Sequence, residues 1–343
     1  MKHLPSDTAL IKSPVLAVVV PCFNEQEVLP ETIARLETLI ARLSTEGDIN
    51  EQSRVWFVDD GSRDRTWTMI QEASTIVDSK VCGIKLSRNR GHQIALLAGL
   101  MCAKGDVLIS IDADLQDDLD AIPKMLAEFR NGSDIVYGVR GSRDTDTLFK
   151  KITAEGYYKL LNWLGVEIVF NHADFRLMSR RSVEALRDFP ESNVFLRGLI
   201  PQLGFPSSRV EYARGDRFAG ESKYPIKKML ALAWQGVTSF STAPLRTITM
   251  LGMMVSVLSL SMGLWAICVK LFTVDAIPGW ASIVIPIFFI SGVQLLSLGV
   301  IGEYLAKIFL ETKRRPLYFV ERLALGKTVC AESCAPSIEI ETN

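Results

Sequence analysis

The 343 residues carry 38 Lys and Arg against 39 Asp and Glu, a net charge of −1 that argues against a general nucleic-acid binder. Hydrophobic residues make up 48 % and the mean hydropathy is +0.20, high for a soluble enzyme, with the excess toward the C-terminal end. The early apolar run 15–20 is too short for a secretory signal and leads straight into a polar motif. Six scattered cysteines, with Cys22, Cys82 and Cys102 in or beside expected core elements, point to reduced thiols in a cytosolic compartment. Cys330 and Cys334 lack a second ligand pair nearby, and three histidines form no zinc pattern.

Residues 1–14 are polar and read as a tail. From there, short apolar runs alternate with helical periodicity. Strands are predicted over 16–20, 55–58, 81–86, 107–111 and 134–138, and helices over 28–43, 66–77, 93–103 and 119–129. Strand–helix alternation of this kind predicts a parallel sheet with right-handed crossovers. Four of the five strands end on polar clusters, which the topology brings to one edge. These are Pro21-Cys22-Phe23-Asn24-Glu25, Asp59-Asp60-Gly61-Ser62, Ser87-Arg88-Asn89-Arg90-Gly91-His92 and Asp112-Ala113-Asp114-Leu115-Gln116-Asp117. Ligands of open α/β sheets bind outside the carboxyl ends of the strands. Neither the P-loop nor the dinucleotide glycine pattern is present.

The stretch at 109–118 organises the rest. An apolar strand ends on two carboxylates one residue apart, and extended backbone would aim both to one side. Two hard oxygen ligands there suit Mg2+ or Mn2+ carrying a diphosphate. Taken alone, the pair reads as readily as a solvated turn capping the next helix. A calcium loop fails, because it would need Gly at Asp117 and Glu at Pro123.

Beyond residue 139 the chain is charged, with Arg140 and Arg143, a helix near 152–164, the run Asn171-His172-Ala173-Asp174-Phe175-Arg176-Leu177 and a helix from Ser182. Residues 209–223, carrying Arg209, Arg214, Arg217 and Lys223, read as a mobile basic loop. Apolar residues from Ile226 to Phe240 recur at helical spacing and predict an interfacial helix. The runs 247–269 and 276–302, of 23 and 27 residues, hold no charge, and each exceeds the roughly 20 needed to cross a bilayer. Arg246 precedes the first, and Lys307, Lys313, Arg314 and Arg315 follow the second, which places both termini in the cytoplasm. The predicted organisation is a tail at 1–14, a catalytic domain at 15–224, a juxtamembrane amphipathic helix at 225–246, two transmembrane helices at 247–304, and a cytoplasmic helix and tail at 305–343. Gly252, Ser256, Gly263 and Gly292 offer small-residue packing between protomers, so a homo-oligomer, possibly a tetramer, is expected.

The successive motifs, with Tyr137-Gly138-Val139-Arg140 and the later Arg217-x-x-Gly220-x-Ser222-Lys223, resemble those of family 2 glycosyltransferases of the GT-A fold. The variant is similar to polyprenyl-phosphate glycosyltransferases of the bactoprenol glucosyltransferase and dolichyl-phosphate mannosyltransferase type. The resemblance runs from about residue 15 to 315. It implies an α/β GT-A domain, a mainly parallel sheet with helices on both faces, followed by two C-terminal transmembrane helices in a bacterial inner membrane. It also implies inverting transfer of a hexose, glucose favoured, from a nucleoside-diphosphate sugar, UDP favoured, to polyprenyl phosphate. On the matching positions, Pro21, Asn24, Glu25, Asp59, Asp60 and Arg88 would line the nucleotide pocket. Asp112, Ala113, Asp114 and Gln116 would meet the sugar diphosphate, with Asp112, Asp114 and Gln116 holding Mg2+ or Mn2+. Asp174 occupies the position of the family's proposed catalytic carboxylate. Arg140, Arg143, Arg217, Ser222 and Lys223 are the candidates for the lipid phosphate, since arginine grips phosphate with a planar fork. Two other readings share parts of this pattern. A processive polysaccharide synthase would show Gln-x-x-Arg-Trp and more spans, and a non-enzymatic scaffold would have no need of the full acidic set.

Overall fold

A computed structural model describes residues 12–141, 172–189, 194–212 and 280–325, with a few helical positions between 245 and 261. The central strand is β1 (Leu16–Cys22), buried at all seven positions. It pairs in parallel with β2 (Arg54–Asp59) and β4 (Val107–Ser110), and β2 pairs in parallel with β3 (Val81–Leu86). Strand β6 (His172–Ser179) runs antiparallel between β4 and β5 (Ile135–Arg140), and β7 (Ser207–Tyr212) lies parallel outside β5. Strand β8 (Val320–Ala324) closes the opposite edge against β3, antiparallel. The order is β7-β5-β6-β4-β1-β2-β3-β8, mainly parallel as the alternation predicts.

Helices cover both faces. In α1 (Leu29–Thr45) the residues Leu29, Leu36, Ile40 and Leu43 recur at helical spacing and join one core with Leu16, Val18 and Val20, one face of β1. The helices α2 (Thr66–Thr75) and α4 (Ala121–Arg130) add Trp67, Ile70, Ile122, Met125 and Phe129 to the same core. The other face of β1 receives α3 (His92–Cys102). A Cβ on Gly99 would come within 2.3 Å of Val19 Cγ1, so only glycine lets this helix lie so close to the sheet. Two short helices follow, α5 (Arg180–Leu186), capped by the Ser179 hydroxyl on Ser182 N–H, and α6 (Leu196–Gln202).

Three strands and α6 differ from the sequence expectation. Residues 172–177 are β strand, not a motif between helices. Arg209 lies on β7, where Val210 and Tyr212 alternate inward, and not on a loop. Residues 320–324 return to the sheet, placing Ala324 against Gly83. The predicted helix at 152–164, the rest of the 209–223 stretch and all but residue 245 of the juxtamembrane helix lie outside the described residues.

The second compact unit contains α7 (Trp280–Lys313). Its stretch Phe289–Lys313, 25 residues with a mean hydropathy of 1.5, is long and apolar enough to cross a bilayer. Large side chains such as Leu295, Leu298, Leu305 and Phe309 stand exposed on it. This is one such helix among the described residues; most of the first expected span, 247–269, is not described.

Candidate active site

The parallel strands deliver their C-terminal ends to one rim. Because β6 runs the other way, its beginning arrives at that rim too. The pairing of Ser110 with Arg176 sets Asp174 beside the end of β4. Asp174 and Arg176, two apart on a strand, share one face, while Phe175 and Leu177 turn into the core.

On the β1–β2 side, the turn after β1 is stitched to the turn after β2. Asn24 N–H donates to Ser62 Oγ at 2.9 Å, Arg63 N–H to Asn24 Oδ1 at 2.9 Å, and Glu25 N–H to Thr66 Oγ1 at 2.9 Å. Asn24 accepts a φ of 56°, which its short polar side chain tolerates. Pro21 is buried and Phe23 is exposed. A depression of about 480 Å³ opens here, lined by Asn24, Glu25, Gln26, Glu27, Val28, Arg63 and Asp64.

Asp60 is buried and spent on backbone. Its Oδ1 accepts from Arg90 N–H at 2.7 Å and its Oδ2 from Gly91 N–H at 2.8 Å. Burial raises its carboxyl, and those two amides oppose the rise. Gly61, at φ +71°, lies so close to the next loop that a Cβ would fall 2.7 Å from Asn89 N. Asp59 is fully buried: Oδ1 accepts from Ser62 N–H at 3.2 Å, while Oδ2 has no hydrogen-bond partner. Burial raises its carboxyl, against the Ser62 bonds and the Lys85 charge. Arg88 is exposed on the β3–α3 loop.

On the β4 side the carboxylates meet side-chain charge. Asp174, only 7 % exposed, receives Arg176 Nη2 at 2.6 Å on Oδ1 and Gln93 Nε2 at 3.2 Å on Oδ2. Arg197 forks onto both oxygens, with Nε to Oδ1 at 3.1 Å and Nη2 to Oδ2 at 3.0 Å. His92 Nε2 stands 3.5 Å from Asp174 Oδ2 and 3.5 Å from Asp112 Oδ1, bridging the two acids. Burial alone would raise the Asp174 carboxyl; the His92 bond and the Arg176 and Arg197 guanidiniums hold it well below the usual carboxylate range.

Asp112 is the counterpart. Its side chain is 35 % exposed, yet Oδ1 is buried and accepts no hydrogen bond. Burial pushes its carboxyl up to about 6. His92 opposes the rise, and the charges of Asp174, Asp117 and Asp114 reinforce it. β4 ends at Ser110, so Ala113 and Asp114 lie in a turn and not on extended backbone, with Leu115 at φ 55°. Gln116 N–H donates to Asp114 Oδ1 at 3.3 Å, and Asp117 accepts from the Tyr212 hydroxyl at 2.6 Å. Gln116 is nearly buried and Ala113 is buried, with its carbonyl accepting from Thr32 Oγ1 at 3.0 Å.

This donor set fits a hard divalent cation. An unsatisfied Asp112 oxygen sits beside three other acids, Asp114, Asp117 and Asp174, opposed locally by His92. Among the described residues no three His, Cys, Asp or Glu side chains form a closed metal cage. A cation here would take one or two carboxylates and fill its shell from a ligand's phosphates and water, as Mg2+ does.

Of the candidate residues, the rim therefore gathers Asn24, Glu25, Asp59 and Asp60 in one group and Asp112, Asp114, Gln116 and Asp174 in another. Arg140 ends β5 on the same rim, opposite Tyr212; its side chain, and Arg143, Arg217, Ser222 and Lys223, lie outside what is described. Sequence reasoning selects none of His92, Gln93, Arg176 and Arg197 as site residues. The Asp-x-Arg spacing of Asp174 and Arg176 becomes a signal once β6 is known to be a strand.

The chain is similar to known proteins along most of its length. The family described as "Glycosyl transferase family 2" matches residues 17–187. An "Uncharacterized glycosyltransferase YkoT" of Bacillus subtilis is 52 % identical, covering 90 % of this chain and 91 % of that protein. The "Prophage bactoprenol glucosyl transferase homolog" of Escherichia coli is 38 % identical over 90 % of this chain and 99 % of its own length, and the "Bactoprenol glucosyl transferase" of Shigella phage SfII is 39 % identical over 91 % and 99 %. Among solved structures, the mannosyltransferase PcManGT of Pyrobaculum calidifontis, in complex with GDP-Man and Mn2+, shares 16 % identity over 91 % of this chain and 90 % of that one, with a TM-score of 0.44. The family match over 17–187 and relatives of 38–52 % identity along nine-tenths of the chain show one family: this chain belongs to glycosyl transferase family 2.

Proposed function

We propose that the chain transfers a hexose, glucose in the first instance, from a UDP-sugar to a polyprenyl phosphate at the cytoplasmic face of a membrane, with inversion at the anomeric carbon. The observation that carries this is the buried, unsatisfied Asp112 Oδ1 at the tip of β4, beside a carboxylate already neutralised by two arginines. The relatives named bactoprenol glucosyl transferase, matched along nine-tenths of the chain, support the acceptor class, and the apolar α7 supports a membrane setting.

The residues divide the work. The stitched turns around Asn24, Glu25 and Ser62 shape the nucleotide pocket, with Asp60 setting the Arg90–Gly91 backbone beside it. Asp112, with Asp114 and Gln116, would hold Mg2+ or Mn2+. When bound, the cation stabilises the negative charge that grows on the departing diphosphate. The acceptor is a phosphate monoester, whose second pKa is near ~6, so it is mostly dianionic at neutral pH and is itself the nucleophile. One of its oxygens attacks the anomeric carbon as the bond to the nucleoside diphosphate breaks, and no proton has to be removed first. Asp174 fits this economy. A general base works best with a pKa near the operating pH, whereas Asp174 is held far below it by Arg176 and Arg197. It organises cationic side chains as a permanent anion.

The test is transfer by the full-length chain in detergent, with UDP-hexoses, polyprenyl phosphate and Mn2+ or Mg2+, reading the lipid product by mass spectrometry. The proposal predicts a hexosyl-phosphoryl lipid, lost on adding EDTA. Transfer to a sugar hydroxyl in place of the lipid phosphate would overturn it.

A further inference from the structure

We infer that Arg197, on α6, is a positioning residue for this site: it locks the plane of the Asp174 carboxylate and so fixes the His92 bridge to Asp112. The inference rests on the site reading above and adds a residue that neither the motifs nor the relatives' names assign.

Arg176 comes to Asp174 from the same strand through Nη2 at 2.6 Å. A single bond to one oxygen leaves a carboxylate able to turn about its own axis. Arg197 removes that freedom by engaging both oxygens through a two-nitrogen fork, at 3.1 and 3.0 Å. Gln93 then closes a circuit: its Nε2 donates to Asp174 Oδ2 at 3.2 Å while its Oε1 accepts from Leu196 N–H, the residue beside Arg197, also at 3.2 Å. Three elements distant in sequence, α3, β6 and α6, are thereby joined on one carboxylate. His92, the residue before Gln93 on α3, stands at 3.5 Å from both acids, so its placement depends on how Asp174 is turned. Arg176 is 1 % exposed and belongs to the interior, whereas the Arg197 side chain is 39 % exposed. Replacing Arg197 therefore opens no core cavity, and its effect on catalysis can be separated from an effect on folding.

The test compares Arg197→Gln and Arg197→Lys with the native full-length chain. Donor hydrolysis without acceptor is measured alongside transfer to polyprenyl phosphate, so a wrong acceptor assignment leaves the Arg197 readout intact. The expected result for Arg197→Gln is a fall in kcat of about 10- to 100-fold in both assays, the range seen when residues supporting a metal site are removed. The donor KM stays within about threefold and Tm changes little, as expected for an exposed position. Arg197→Lys recovers only part of the loss, because it restores charge without the fork. Gln93→Ala shows a smaller loss of the same kind, and the Arg197→Gln/Gln93→Ala pair is non-additive, as members of one hydrogen-bonded circuit are. A kcat within twofold of native for Arg197→Gln would overturn the inference. So would full recovery in Arg197→Lys, or a loss confined to the acceptor KM, which would make Arg197 a direct acceptor contact.

Discussion

The two halves of the rim treat the same chemical group in opposite ways. On the β1–β2 side, Asp60 is consumed by backbone amides, two N–H groups on its two oxygens, and the result is a shaped loop. On the β4 side, Asp174 is matched by side-chain cations, and its neighbour Asp112 keeps a buried oxygen with no donor. Asp59 also has an unpartnered oxygen, but it is fully buried and partly offset by Lys85. Asp112 is different because its side chain is a third exposed. Asp60 is satisfied by the protein and shapes it; Asp112, partly open and beside three other acids, is the carboxylate proposed to meet a ligand.

The contrast breaks first at Asp112. Asp112→Asn keeps the shape and removes the charge, and transfer is expected to fall by about 10³-fold, the scale of losing a principal electrostatic stabiliser of the transition state. Steady-state kinetics, with circular dichroism showing an unchanged fold, checks this. Next comes Arg176→Met, which leaves Asp174 with Arg197 as its guanidinium partner. Losing one charge-assisted hydrogen bond from a buried carboxylate that keeps its other partners costs about 1.5–3 kcal/mol, read as a lower denaturant midpoint. On the amide side, Asp60→Asn offers one acceptor where two are needed, and a destabilisation of about 1–2 kcal/mol is expected from the orphaned amide. This variant raises the donor KM more than it lowers kcat, the reverse of Asp112→Asn.

The smallest effect is the pH dependence. With its carboxyl at about 6, Asp112 binds a proton in competition with the cation, so Mn2+ affinity is flat near pH 7.5 and falls below pH 6. The limiting slope is about tenfold per pH unit, measurable by calorimetry. The linkage sign follows from a folded value raised above 3.8: for the cation-free protein, Asp112 contributes stability that is present at low pH and lost as pH rises through about 6. Asp174, held low, contributes the opposite way, favouring the fold at neutral pH and losing that contribution in strong acid.

Much of the rim was legible because β1 to β5 are short apolar runs that end abruptly on polar residues. Their bounds lie within two residues of those read from the pattern, and Asp60 and Asp112 stand out as acids at or beside strand ends, whereas Asp174 was singled out by the family resemblance alone. Strand β6 escaped although Phe175 and Leu177 alternate with Asp174 and Arg176, because the run is polar at every other position and not flanked by the strand–helix rhythm of β1 to β5, and its polar face is a buried ion pair, which no local pattern announces. Strand β8, Val-Glu-Arg-Leu-Ala, is a half-exposed edge, and its partner β3 lies more than 230 residues earlier. Helix α6 spans seven residues with Gly198 and Pro201 inside, too short to show a period. The Arg197 fork and the His92 bridge depend on register and chain crossing, which local patterns do not carry.

The most direct measurement is calorimetric titration of UDP into the full-length chain in detergent, with and without Mn2+, for the native chain and for Asp112→Asn. The account predicts that Mn2+ tightens UDP binding to the native chain by at least about 100-fold, nearly 3 kcal/mol, and that Asp112→Asn abolishes this tightening. Mn2+-dependent UDP binding of native strength in Asp112→Asn would contradict it.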